Sequence, residues 1–137
     1  MSFEAILKSQ LIRHEGVRLK PYKDTVGKLT VACGRNLDDV GVFQDEVDLM
    51  LENDIKRATA DARKLFKNFD GLSNNRKAVV VNMTFNLGYS RFSQFHKTIA
   101  AIESFRFEEA ADEMLDSTWA KQVKGRAIEL ADLMRAG

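Results

Sequence analysis

Two carboxyl side chains near the N-terminus are the residues best suited to chemistry. Glu15 precedes Asp24 by nine positions, and Thr30 follows six positions later. Such a pair can divide the work of glycoside hydrolysis, since a protonated carboxyl group gives its proton to the leaving oxygen while a carboxylate organises the attack from the opposite face. Most Glu and Asp residues are ordinary surface charges, so the spacing alone leaves both interpretations open.

Other catalytic chemistries lack the side chains they need. The chain has two His and one Cys, and His14-Glu15 is not followed four positions on by the second His of a zinc-protease helix. No glycine-rich phosphate loop is present. We therefore expect no metal site and no cofactor, and the sequence disfavours a serine and histidine triad.

Composition and charge limit the class of protein. The 137 residues are 45% hydrophobic and 30% charged, which is typical of one globular domain. Glu4 and Lys8 interrupt the N-terminus where a signal peptide would be apolar, so we expect synthesis in the cytoplasm and no membrane insertion. The net charge of +1 is too small for general affinity for nucleic acid.

The predicted N-terminal helix places Glu15 at its end. Apolar residues follow helical spacing after Ser2, which is a good N-cap, and Gly16 is a typical stop. The negative end of a helix dipole disfavours a carboxylate, which suits a proton donor. The helical pattern then disappears from 17 to 33, where β-branched residues and the turn pair Val26-Gly27 predict a small hairpin or irregular sheet. Pro21 restricts its strand to an edge.

The remainder of the chain is predicted to be helical. A long amphipathic helix follows Phe43, which stands where a Ser or Asp cap is expected, and Ser73 and Gly88 bound an apolar central helix. The class is therefore α+β and mostly helical. We predict one domain, 1–137, with a β lobe at about 16–42 and a helical lobe at about 1–15 and 43–137. Further helices are predicted at about 93–105, at 107–116, near Trp119 and at 127–136.

The segment Arg13 to Leu37, RHEGVRLKPYKDTVGKLTVACGRNL, closely resembles the active-site region of the phage-type lysozymes, or endolysins, of glycoside hydrolase family 24. The similarity continues through Asn82–Gly88, Phe95, Phe107–Ala111, Trp119 and Gly125–Ala127, and so covers nearly the full chain. It implies a lysozyme-like fold, in which a small N-terminal β lobe is packed by a larger helical lobe.

The resemblance also implies roles for individual residues. Glu15 corresponds to the proton donor, Asp24 to the second catalytic carboxylate, and Thr30 to a hydroxyl that helps to hold the attacking water. Arg126 corresponds to an arginine that reaches toward the catalytic glutamate, although it could instead cap a surface helix. The remaining residues that correspond to substrate contacts are Asn36, Phe85, Asn86 and Thr98. Phe85 is as well suited to the core as to a cleft wall, and Trp119 is better suited to the core.

Two residues depart from the family pattern. Ala32 and Cys33 stand where the family usually has glycine and an aromatic residue. If that glycine needs a positive φ, Ala32 carries strain of roughly 1 kcal/mol or more. We expect Cys33 to be a buried packing residue in a strand.

The function implied is that of a bacteriolytic muramidase. It would hydrolyse the β-1,4 bond between N-acetylmuramic acid and N-acetylglucosamine in peptidoglycan, as a monomer, after release from the bacterial cytoplasm. Two alternatives remain open. A lytic transglycosylase would cleave the same bond without needing Asp24, and a saccharide-binding module would keep the fold but have lost turnover through Ala32 and Cys33.

Overall fold

The computed structural model describes residues 1–137 and is α+β and mostly helical, which confirms the predicted class. Contacts divide the chain into two compact units, Met1–Leu49 and Met50–Gly137. Helix α2, Gln44–Leu65, begins in the first unit and ends in the second. Residues 1–15 belong to the first unit, and the lobe boundaries drawn from the sequence stay a prediction.

The first unit joins one helix to a three-stranded sheet. Helix α1, Phe3–Glu15, is followed by β1, Arg18–Lys23, β2, Leu29–Ala32, and β3, Arg35–Asn36. The strands are antiparallel in the order β1-β2-β3, so the strand that contains Pro21 lies at an edge, as predicted. Both predicted boundaries of α1 are confirmed, because Ser2 accepts a hydrogen bond from the Ala5 amide and Gly16 ends the helix with a φ of 71°.

The second unit is built from helices alone. After α2 come a 3₁₀ turn at Phe69–Gly71 and the helices α3, Asn74–Leu87, α4, Tyr89–Phe92, α5, His96–Glu103, α6, Phe107–Leu115, α7, Thr118–Val123, and α8, Gly125–Ala136. The helix predicted at about 93–105 is present as α5 but is shorter, because Phe95 has a ψ of 59° and the helix begins only at His96. The short helix α4 was not predicted. None of these helices is both long and apolar enough to cross a bilayer.

The apolar core lies in the second unit. Helix α3 contributes Val79, Val80, Met83 and Leu87 to it, and aromatic residues from three other parts of the chain fill the space around them. The helix predicted to be central therefore contributes to the core, and it does so along one face. Trp119 is fully buried, which agrees with its preferred assignment to the core.

Candidate active site

Glu15 is the last residue of α1 and its side chain lies against the turn between β2 and β3. A Cβ atom placed on Gly34 would lie 3.2 Å from Glu15 Oε2 and 3.3 Å from both Cδ and Cγ. The carboxylate therefore occupies the space that a side chain at Gly34 would take. Glu15 is otherwise exposed.

Asp24 lies in the turn between β1 and β2 and is half-buried. Its Oδ1 accepts hydrogen bonds from the amides of Val26, at 3.0 Å, and Lys28, at 2.8 Å. The Asp24 amide in turn donates to the Lys28 carbonyl at 2.9 Å. One carboxylate oxygen thus holds the turn together, while Oδ2 remains free to accept a hydrogen bond from a ligand.

Thr30 lies on β2 and is only 4% exposed. Its hydroxyl donates to the Lys28 carbonyl at 2.9 Å. Because that proton is committed, the oxygen can only accept a hydrogen bond from a further group such as water. Asp24 and Thr30 are therefore both positioned by the backbone of Lys28.

Two residues in the left-handed region lie where β2 passes into the turn before β3. Ala32 has a φ of 61° and Gly34 a φ of 73°, which confirms that the position held by Ala32 requires a positive φ. Cys33 lies in the turn and is only partly buried, so the expectation of a buried strand residue is wrong. A pocket of about 480 Å³ in this unit is lined by Ala32 and Cys33 together with Glu4, Leu7, Lys8, Leu11, Ile12 and Val17.

Arg35 anchors the end of this turn to the start of α2. Its Nη1 and Nη2 donate to Oε1 and Oε2 of Glu46 at 2.7 and 2.8 Å, and its guanidinium lies 4.8 Å from the centre of the Phe43 ring. The hydrogen bond from Arg35 lowers the pKa of Glu46, and the same bond raises the pKa of Arg35.

Glu46 also supplies the helix cap that the sequence analysis missed. Its Oε1 accepts a hydrogen bond from the Phe43 amide at 2.7 Å, which satisfies a backbone donor where no Ser or Asp is present. A glutamate three residues after the capping position is half of a capping box, and that spacing was the available signal.

Asn36 uses both ends of its amide to hold the turn that follows β3. Its Nδ2 donates to Asp39 Oδ2 at 3.0 Å, and its Oδ1 accepts from the Asp39 amide at 2.9 Å. Lys28 joins the same turn through an ion pair with Asp39 at 3.2 Å. The structure therefore gives Asn36 a local structural task.

Phe85 and Arg126 lie together in the second unit. Both line a pocket of about 350 Å³ along with Asn82, whose Oδ1 accepts from Arg126 Nε at 3.0 Å and from Nη2 at 2.6 Å. Phe85 is 49% exposed, which leaves much of its ring free for a ligand. The reach of Arg126 toward Glu15 stays a prediction.

Thr98 lines a separate pocket of the second unit. It is 3% exposed and borders a space of about 360 Å³. The charged residues that line this pocket are Lys97, Glu113 and Asp116. Asn86 accepts a hydrogen bond from Trp119 Nε1 at 2.7 Å, so its Oδ1 is occupied and its amide nitrogen remains available. No cluster of three or more His, Cys, Asp or Glu side chains suited to a metal ion is present.

The fold and the carboxylates together define a class. A helix that ends in a glutamate, a small antiparallel sheet with an aspartate in its first turn, and a helical unit after it are the features of a lysozyme-like α+β protein. The sequence matches the family model described as phage lysozyme over residues 12–135. The chain belongs to the phage lysozyme family.

The chain is also similar to individual known proteins. It is 27% identical over 160 aligned residues to the probable T4-type lysozyme 2 of Dictyostelium discoideum, covering 96% of this chain and 94% of that protein. It is 31% identical over 85 residues to an endolysin of Acyrthosiphon pisum secondary endosymbiont phage 1, covering 59% of this chain and 56% of that protein. It is 23% identical over 159 residues to the pre-baseplate central spike protein Gp5 of Enterobacteria phage T4, covering 96% of this chain and 28% of that protein.

Proposed function

We propose that the protein is a muramidase that hydrolyses the β-1,4 bond between N-acetylmuramic acid and N-acetylglucosamine in bacterial peptidoglycan. One observation carries the proposal within this family. The same small unit holds Glu15 against the β2–β3 turn and ties Asp24 and Thr30 to one backbone segment. A proton donor and a pair of groups suited to a water molecule are thus supplied by a helix end and by one β-hairpin.

Glu15 acts as the general acid. In its protonated form it gives its proton to the glycosidic oxygen as the bond to the anomeric carbon breaks. The leaving sugar departs with a hydroxyl group, and Glu15 is left as a carboxylate. Exposure of the side chain lets solvent return the proton after each turnover.

Asp24 and Thr30 organise the attacking water. The water donates one hydrogen bond to the free Oδ2 of Asp24 and the other to Thr30 Oγ1, whose own proton is committed to Lys28. As its oxygen bonds to the anomeric carbon, the water loses a proton to Asp24, which releases it to solvent before the next turnover. This attack comes from the face opposite the leaving group, so it inverts the configuration and gives an α-anomer first. Inverting enzymes hold their two carboxyl groups about 6.5 to 9.5 Å apart, and we propose that separation for Glu15 and Asp24.

Residues of the second unit bind the saccharide in this proposal. The exposed ring of Phe85 offers an apolar surface to a sugar ring, and the free amide nitrogen of Asn86 can donate to a sugar hydroxyl. Thr98 contributes a hydroxyl that has no partner within the chain. Arg126 is the cationic contact, and Asn36 contributes from the first unit.

The test of the proton donor is a lysis assay on purified bacterial walls. Glu15→Gln keeps the size of the side chain but cannot donate a proton to the glycosidic oxygen, so wall turbidity should not fall while circular dichroism stays unchanged. The matched control is Glu4→Gln, which removes the same charge from the first turn of the same helix. The control should lyse walls at the wild-type rate. Lysis by the purified Glu15→Gln protein would overturn the assignment.

Product analysis separates this proposal from its alternatives. Released sugars with an ordinary reducing end, first seen as the α-anomer by proton NMR, are expected. An anhydro sugar end would identify a lytic transglycosylase. Binding of walls with no new chain ends would identify a saccharide-binding module.

A further inference from the structure

We propose that Gly34 is a positioning residue for Glu15. The absence of a side chain at Gly34 leaves the space in which the Glu15 carboxylate lies, and the surrounding turn holds that space in place. This inference rests on the proposed function, because it assigns a catalytic consequence to the position of Glu15.

The contact involves the reacting end of the Glu15 side chain. A Cβ at Gly34 would approach Oε2 to 3.2 Å and both Cδ and Cγ to 3.3 Å. All three distances are shorter than ordinary van der Waals contacts between heavy atoms, which begin at roughly 3.5 Å. A Cβ at this position would therefore push the carboxyl group aside by a few tenths of an ångström.

The turn is held more firmly than the carboxylate. Arg35, the next residue, is fixed by two parallel hydrogen bonds to Glu46, which is the geometry that restricts a guanidinium most. It also pairs in register with Val31 on β2. The Glu15 side chain has three rotatable bonds and no hydrogen-bond partner in the chain. A clash at Gly34 is therefore relieved by movement of Glu15.

Displacement of a proton donor has a characteristic kinetic effect. The distance from Glu15 to the glycosidic oxygen matters mainly in the transition state, so misplacement lowers kcat and leaves substrate binding nearly unchanged. A misplacement of about 1 Å can cost on the order of a hundredfold in rate, so one of a few tenths of an ångström should cost several-fold. A purely structural glycine would instead lower stability alone.

The decisive variant is Gly34→Ala, and its matched control is Gly41→Ala. Gly41 lies in the loop before α2 with a φ of 71°, close to the 73° of Gly34, and a Cβ there would meet nothing within 4 Å. Both substitutions place alanine at a positive φ, so both should lower the Tm. On soluble, uncross-linked glycan strands, Gly34→Ala should lower kcat by roughly threefold to tenfold with KM within about twofold. Gly41→Ala should keep the wild-type kcat. Equal kcat for the two variants would overturn the proposal.

A spectroscopic measurement tests the same inference without activity. The ¹³C resonance of the Glu15 carboxyl carbon should shift in Gly34→Ala and stay in place in Gly41→Ala. An unmoved resonance in Gly34→Ala would overturn the positioning role. By contrast, an inactive wild-type protein or an active Glu15→Gln variant would overturn the proposed function and leave this result untouched.

A second variant keeps the inference testable if Gly34→Ala does not fold. Arg35→Lys retains the positive charge but loses the two-pronged contact with Glu46, which loosens the turn under Glu15. The Glu15 resonance should broaden or shift, and kcat should fall with KM unchanged. Preservation of both the resonance and kcat would contradict the role of the turn.

Discussion

Asp24 combines a structural task and a proposed chemical one in a single carboxylate. Its Oδ1 accepts two backbone hydrogen bonds within the turn, and its Oδ2 has no hydrogen-bond partner in the chain. The two tasks need different properties of the side chain. The turn needs an acceptor oxygen, whereas activation of water needs a negative charge.

Substitutions at Asp24 should therefore separate stability from activity. Asp24→Asn keeps an acceptor oxygen and should stay within about 1 kcal/mol of the wild-type stability, because the turn amides remain paired. Asp24→Ala leaves both amides without that acceptor and should cost about 1 to 3 kcal/mol. Urea unfolding measures both values, and wall lysis should fall by orders of magnitude in both variants.

Asp38 offers the control for Asp24. Its Oδ2 accepts a hydrogen bond from the Leu29 amide at 2.7 Å, so Asp38→Ala also removes a carboxylate that holds a backbone amide. It should lose stability and keep lytic activity below its unfolding transition. Full activity in Asp24→Asn would show that the carboxylate is only structural and would favour the transglycosylase alternative.

The backbone of Ala32 is strained, as the sequence predicted for a position with a positive φ. Its φ of 61° is a conformation that costs an L-residue roughly 1 to 2 kcal/mol. Ala32→Gly should raise the free energy of unfolding by about 1 kcal/mol, measured by urea denaturation. Ala60→Gly, at an exposed position inside α2, is the matched control and should lower it by roughly 0.5 to 1 kcal/mol. A loss of stability in Ala32→Gly would show that the strain is relieved elsewhere.

At the scale of elements, the join between the sheet and α2 depends on one carboxylate. Glu46 forms an ion pair with Arg35, the first residue of β3. It also accepts a hydrogen bond from the Phe43 amide at the start of α2. The structure thus makes one side chain serve both the anchor of the turn and the cap of the helix.

The anchor should weaken in acid. The pKa of Glu46 lies below its ordinary value of 4.5 in the folded protein, because Arg35 donates to the ionised form. Glu46 therefore binds a proton more readily in the unfolded chain than in the folded protein. The stabilisation that its pair with Arg35 gives to the folded state is fully present above about pH 4.5. It is lost as the pH falls through the lowered folded pKa. Glu46→Gln should lower the Tm at pH 7, and this difference from wild type should shrink below pH 4.5.

Glu52→Gln serves as the control for this pH dependence. Glu52 lies on the same helix, is exposed and has no hydrogen-bond or ion-pair partner. Thermal unfolding followed at several pH values should show little difference between Glu52→Gln and wild type. A difference for Glu46→Gln that stays constant down to pH 3 would contradict the assigned role of Arg35.

Helix boundaries could be predicted where a capping residue or a glycine marks them in the sequence. Ser2, Gly16, Ser73 and Gly88 mark the ends of α1 and α3 through their own caps and backbone preferences. The break at Phe95 has no Pro or Gly to signal it. The Phe95 ring packs against Phe92, at 5.5 Å between ring centres, and this contact is visible only in the folded chain.

At the scale of the whole molecule, the candidate residues form two groups. One group is close together in the sequence, and the other is not. Glu15, Asp24 and Thr30 follow one another within one helix and one hairpin, so turn chemistry alone brings Asp24 and Thr30 to the same backbone segment. Phe85 and Arg126 come from helices far apart in the sequence. Their shared pocket depends on how α3 and α8 pack, which no short pattern of residues encodes.

Burial of apolar side chains is also uneven along the chain. Every buried apolar residue lies between Ala58 and Met134, and Thr30 is the only buried residue in the first unit. Local stability follows the density of buried apolar contacts, so the two units should open with different free energies. The amides of β2 should exchange with solvent through smaller openings than the amides of α3.

Native-state hydrogen exchange tests this difference. Amides of Val80 and Met83 should report the global free energy of unfolding, about 5 to 15 kcal/mol for an ordinary domain, and the Val31 amide should report a clearly smaller one. Phe92→Ala removes a fully buried ring and should lower the opening free energy of the Val80 amide by about 3 to 5 kcal/mol. Phe105→Ala removes a mostly exposed ring as the matched control and should change it far less. Equal opening free energies at Val31 and Val80 in the wild-type protein would show that the sheet unfolds only with the whole chain.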